Sequence, residues 1–137
     1  MREIKFRGYS VEELIGSQWI CNGYGVAKVD YTDGTKSFHL LTPYGNYHVE
    51  EDSIGQYTGL KDMTGRQIFE GDIVEFIHSG EKHMSQIYYK ELEGFHFKFT
   101  YDDYEYELSI SDLNIPYRKT KIIGNMYENS ELLAERE

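Results

Sequence analysis

The sequence predicts a mainly β fold, α+β at most, built of small, barrel-like, curled antiparallel sheets with a short helix at the C-terminus. Three observations point there. Residues 95–110 alternate apolar and polar side chains with a period of two, the signature of strands with one buried face. The remaining apolar stretches are short and are separated by Gly- and Asp-containing turns. The chain also carries 13 Tyr and 7 Phe but only 2 Pro, an aromatic load that suits pleated, half-buried surfaces and offsets the entropy of ordering.

Taken in order, Ile4 to Arg7 reads as a first strand. Ser10 to Gly16 follows with a Ser N-cap, a Glu three residues on and a Gly stop, which predicts a single capped helical turn. Val26 to Tyr31 and Ser37 to Leu41 are strands joined through Asp33-Gly34. Tyr44-Gly45-Asn46, Ser79-Gly80 and Glu93-Gly94 mark further turns, and between them Ile73 to Ile77 and Gln86 to Lys90 read as strands. Lys119 to Tyr127 closes the series, and Asn129 to Arg136 reads as the terminal helix. The loop around Leu60 to Gln67 divides the chain into residues 1–60 and 61–137, as two parts or as halves of one intertwined domain.

The sharpest local expectation is a hairpin turning at Asp102-Asp103. A two-residue loop sets Tyr101 against Tyr104, Phe99 against Tyr106, Phe97 against Leu108 and Phe95 against Ile110, making one face wholly apolar. The opposite face then pairs Lys98 with Glu107.

Charge and cysteine usage narrow the function classes. With 24 acidic against 14 basic side chains, the net charge of -10 repels phosphate backbones at long range and argues against a general nucleic-acid binder. Cys21, the single cysteine, forms no internal disulfide, and no basic-plus-apolar leader opens the chain, so the expectation is a reducing cytoplasm. No apolar run approaches the roughly 18 residues of a membrane-spanning helix.

Motifs that could carry chemistry each have a plainer account. Gly59 to Gly65 reads as a compact turn, and secondarily as a loop presenting Lys61, Asp62 and Arg66 to a partner. It lacks the Gly-Lys-Ser/Thr ending of a phosphate loop. Gly71-Asp72 before Ile73 is similar to the strand entry of SH3-like barrels. The acidic-aromatic run Tyr101 to Glu107 reads as the wet face of the hairpin, and Asp30 to Gly34 lacks the full pattern of a calcium loop. His39, His48, His78, His83 and His96 are scattered, with no zinc-type spacing. Cys21, beside Trp19 and Ile20, reads as a small buried hydrophobe. No Gly-x-Ser-x-Gly elbow occurs. Trp19, Tyr24, Tyr44, Tyr47 and Tyr57 are mostly core candidates, some of which could line an oligomeric contact.

Gln56 to Asp62 with Gly65, then Ile68 to Val74, together with the opening Met1 to Arg7 and the closing Ile123 to Asn129, resembles the YopX family encoded by phages and prophages of low-GC Gram-positive bacteria. The resemblance is looser from Gly8 to Ser53. It implies a phage-encoded accessory protein in a family without a settled biochemical role. The expectation is therefore a non-enzymatic, cytoplasmic module that recognises a host or phage protein or assembles with itself, using no cofactor, metal or catalytic residue. Two other readings accompany it. One is an acidic nucleic-acid mimic that occupies a host DNA-binding protein. The other is a single-strand binder gathering Lys5, Arg7, Lys61 and Arg66 beside stacking aromatics.

Overall fold

The computed structural model describes residues 3–134, which fall into two compact units, Met1–Tyr57 and Thr58–Glu137. Antiparallel strands dominate both, as expected, and the helices are single turns. The sheets have three or four strands each and do not close into a barrel, so the barrel-like expectation holds only as far as small antiparallel sheets. No helix among the described residues is long and apolar enough to cross a membrane.

In the first unit, β1 (Phe6–Tyr9) pairs with β2 (Trp19–Gly23) on one side and with the start of β6 (Gly55–Lys61) on the other. A second sheet runs β3 (Gly25–Asp30), β4 (Lys36–Thr42), β5 (Gly45–Val49) in that order. The two layers touch where side chains are missing. A Cβ on Gly23 would lie 2.5 Å from Leu40 Cδ1, and one on Gly8 would lie 2.9 Å from Val49 Cγ1. Leu40 and Val49 are buried at those contacts, so the two glycines admit the bulk of their partners. The turn from β3 to β4 is a three-residue loop. Gly34 N–H donates to Tyr31 O (3.0 Å), Tyr31 N–H donates to Thr35 O (2.8 Å), and Gly34 takes φ +90°. Asp33 Oδ1 accepts from Thr35 N (2.9 Å) and Oγ1 (2.6 Å), completing the turn chemistry expected of Asp-Gly.

The helical turn expected at Ser10 to Gly16 does not form. The Ser10 hydroxyl donates to Glu12 O (2.7 Å), and Gln18 holds the segment by accepting from Leu14 N (2.7 Å) and donating to Glu12 O (2.8 Å). One turn offers too few backbone bonds to resist such side-chain competition.

In the second unit, β6 continues beside β7 (Gln67–Phe69), with Thr58 Oγ1 donating to Ile68 O at 2.7 Å. One three-stranded sheet has the order β13 (Lys121–Asn125), β8 (Asp72–His78), β9 (Glu81–Gln86), and another the order β10 (Tyr88–Lys90), β11 (Gly94–Tyr101), β12 (Tyr104–Ser109). The expected strand Gln86 to Lys90 is thus split at the buried Ile87 between β9 and β10. Val74, Phe76, Phe97, Phe99, Ile68 and Ile122 form the centre of one apolar core.

The β11–β12 hairpin adopts the expected register for Tyr101–Tyr104, Phe99–Tyr106 and Phe97–Leu108. Asp102 and Asp103 both take positive φ, 53° and 67°, as a two-residue hairpin turn with native twist requires. The last expected pair fails. Ladder pairing stops at His96–Ser109, and Ile110 opens a 3-10 turn (Ile110–Asn114) that buries its side chain in the core. Near the C-terminus there are two turns, α1 (Met126–Asn129) and α2 (Glu131–Ala134), instead of one helix from Asn129. Asn125 caps the first, its side-chain oxygen accepting from Glu128 N at 2.8 Å. Arg136, in the expected helix, lies outside the described residues.

Candidate functional site

The motif loop of the second unit is organised by an inward-turned carboxylate. Asp62 Oδ1 accepts from Thr64 N (2.9 Å), Thr64 Oγ1 (2.7 Å) and Arg66 N (3.0 Å), while Oδ2 accepts from the Ile122 amide of β13 at 3.0 Å. Burial pushes its pKa up, but the bonds from Ile122, Thr64 and Arg66 outweigh that and hold it below the ordinary carboxylate value. Asp62 is therefore not displayed to a partner, whereas Lys61 and Arg66 on either side of it are exposed. Asp72, 2% exposed, acts in the same way at the next turn by accepting from Phe69 N at 2.7 Å.

Two polar clusters in this unit were not legible beforehand. Arg118, 3% exposed, donates to Asp112 Oδ2 (2.5 Å), Asp112 O (3.2 Å) and Ile77 O (3.2 Å), and lies 3.0 Å from His78 Nδ1. A guanidinium carries only donors, so it donates and His78 Nδ1 accepts. On the wet face of the β10–β11–β12 sheet, Glu107 faces Lys98 in register, but its carboxylate bonds Lys90 Nζ (2.6 Å) and the Tyr88 hydroxyl. Burial, then the bond to Glu107 and its negative charge, push the Tyr88 pKa well up. The bonds from Lys90 and Tyr88 hold the Glu107 pKa below its ordinary value. The expected Lys98–Glu107 pairing thus holds in the register, while the Glu107 carboxylate reaches across to β10, Oε1 accepting from Lys90 and Oε2 from Tyr88.

The histidines separate by element. His39 and His48 stack across β4 and β5 with ring centres 5.2 Å apart, and His39 Nε2 shares a hydrogen bond with Ser37 Oγ at 2.9 Å. His83 lies against Phe76, and His78 and His83 are 6.2 Å apart. His96 flanks Tyr88. Among the described residues no group of three or more His, Cys, Asp or Glu is placed to hold a metal ion.

In the first unit, Arg7 lies over the Trp19 ring at 4.7 Å, and Tyr9 meets that ring edge-on. Lys5 sits over the buried Tyr57 at 5.8 Å. Cys21 is exposed, contrary to its reading as a buried hydrophobe, because it faces outward from β2. Tyr44 and Tyr24 stand in solvent, and Trp19 and Tyr47 are half-buried.

One open edge of this unit is β3. Among the described residues it ends its sheet and pairs with β4 alone. Val26 (38%) and Val29 (39%) on the strand, and Tyr24 (61%) and Tyr31 (50%) beside it, are exposed. Tyr31 bonds inward to Thr35, so by alternation the odd-numbered residues turn their backbone groups toward β4. Val26, Lys28 and Asp30 turn theirs outward.

A family model described as YopX protein matches residues 5–134. The chain belongs to the YopX family. Among solved structures, this YopX chain is similar to protein EF1440 from Enterococcus faecalis, at 24% identity and a TM-score of 0.53. That likeness covers 97% of this chain and 99% of the other, and it bears on the fold. No curated protein matches. The stretches that carried the YopX resemblance contain Asp62 and Asp72, which fasten turns to strands. Their chemistry is the chemistry of folding.

Proposed function

We propose that this YopX protein is a non-catalytic accessory module, made from a phage or prophage in the bacterial cytoplasm, that binds another polypeptide through the β3 edge. The observation behind this reading is the exposure of that edge. Natural sheets blunt their edges with proline, charge, bulges or cover. Here Lys28 and Asp30 are the only charged residues of β3, and four exposed apolar or aromatic side chains surround them. An outward row of amides and carbonyls flanked by such side chains supports strand addition by a partner.

The test uses Lys28→Pro. Residue 28 turns its amide away from β4, so proline removes an outward donor and leaves the hairpin's own ladder intact. Tagged wild-type and K28P protein are used to capture proteins from phage-infected lysate after nuclease treatment. A host or phage protein held by wild type and released by K28P supports the reading. A protein held equally by both overturns it.

The acidic-mimic alternative rests on net charge alone, and no specific geometry favours it. For the single-strand alternative, Arg7 is buried against Trp19 and is withdrawn from any phosphate-tracking groove.

A further inference from the structure

We propose that the partner of the β3 edge is a second copy of the same chain, paired antiparallel about a two-fold axis at Val29. This deepens the contact-module reading and rests on it. An isologous contact requires a surface complementary to itself, and β3 is one such segment in a single register.

The backbone limits the choices. Residues 26, 28 and 30 turn their amides and carbonyls outward, so they must face one another across the new ladder. Three central registers satisfy this. Placing Lys28 opposite its own copy sets two ammonium groups face to face, which is destabilising. Placing Val26 opposite Lys28 sets an apolar side chain against a charge and sends Asp30 to Tyr24. The third register sets Lys28 opposite Asp30 of the copy, twice by symmetry. It also places Val29 against Val29 at the axis and Ala27 against Tyr31.

This third register satisfies both faces of the strand. On one face Lys28 already lies 3.6 Å from Asp30 of its own strand. Pairing extends this to a four-charge array of alternating sign. On the other face the exposed Val29 is covered by its copy, and Ala27 stands opposite the copy's Tyr31, whose ring leans back over its own sheet to bond Ser37 Oγ (3.0 Å). The molecule's net charge of -10 opposes self-association at long range, so dimerisation should strengthen with moderate salt while the local pairs persist.

The experiment is analytical ultracentrifugation of the full chain over a concentration series, with charge-reversal variants. Wild type should show a monomer–dimer equilibrium. Lys28→Glu alone, which faces Asp30 of the copy, should weaken the dimer at least about tenfold, as should Asp30→Lys. The double variant K28E/D30K should recover wild-type association, because it restores the Lys28–Asp30 pairs across the axis together with the pair within each strand. Far-ultraviolet circular dichroism verifies that each variant is folded.

A second measurement reads the axis directly. In a Cys21→Ser background, Val29→Cys should give a disulfide-linked dimer under mild oxidation, because facing residues of a non-hydrogen-bonded pair lie about 4.5 Å apart at Cα. Val26→Cys, which faces Thr32 of the copy, should not. A wild-type chain that stays monomeric throughout overturns the self-pairing, and cross-linking of V26C as readily as V29C overturns the Val29 axis. If the chain is monomeric but K28P still releases a captured protein, the contact-strand reading stands and the self-pairing alone falls.

Discussion

Replacing Asp62 by alanine removes one carboxylate and four hydrogen bonds, those from Thr64 N, Thr64 Oγ1, Arg66 N and Ile122 N. Hydrogen bonds to a charged acceptor contribute roughly 1.5–3 kcal/mol each, but the three within the loop can be replaced by water. The Ile122 amide cannot be rehydrated as easily, since its residue is 5% exposed. Leaving that donor unsatisfied costs about 1–3 kcal/mol, and loosening the turn adds about 1 kcal/mol, for a total of about 2–4 kcal/mol. Asp62→Asn should cost less than the alanine change but more than a neutral one, because an amide can serve the Thr64 side while presenting N–H to the Ile122 donor. The assay is urea denaturation followed by circular dichroism, paired with hydrogen exchange at the Ile122 amide. Protection at Ile122 should fall in both variants. The sign of the pH dependence follows from the lowered pKa. Asp62 contributes its stability above the unfolded carboxylate range, roughly pH 4, and that contribution is lost as pH falls through the lower folded value. The D62A variant lacks this part of the acid dependence. If D62A stayed within about 0.5 kcal/mol of wild type with Ile122 still protected, the assignment of Asp62 as the fastener of the loop would be refuted.

Gly23→Ala should destabilise the first unit by about 1–3 kcal/mol, since the added methyl would meet Leu40 at 2.5 Å. Combining it with Leu40→Val should recover part of the loss, and thermal melts of the single and double variants check this coupling. Glu107→Gln should lower the titration midpoint of the Tyr88 phenol, because the charge and the acceptor that disfavour phenolate are weakened together. Ultraviolet difference titration at alkaline pH reads it, and an unchanged midpoint would contradict the network.

How far the sequence reached depended on whether a pattern was local. The β11–β12 hairpin was legible because alternation and two turn residues set its register, and Asp102 and Asp103 supplied the positive φ without help from elsewhere. The Asp33-Gly34 turn was legible for the same reason. The failures are places where distant groups competed with local preference. Ser10 to Gly16 has the caps of a helix, yet Ser10 bridges to Val49 and the Val11 amide donates to His48 O, so the distant β5 holds its start in extended form. Ile110 continues the alternation but leaves the ladder to fill the core.

The chain by itself determined its class, its family, its acidity and its tightest turns, because these rest on composition, alternation and neighbouring residues. Tertiary structure alone decided that Asp62 reaches across 60 residues to the Ile122 amide, that Arg118 is buried against Asp112, and that Glu107 bonds Lys90 rather than Lys98. It also decided that β3 ends its sheet with its outward backbone groups exposed. Sequence spacing cannot give the distance between a carboxylate and a remote amide, nor which strand lies last in a sheet. Both are set only when the layers pack.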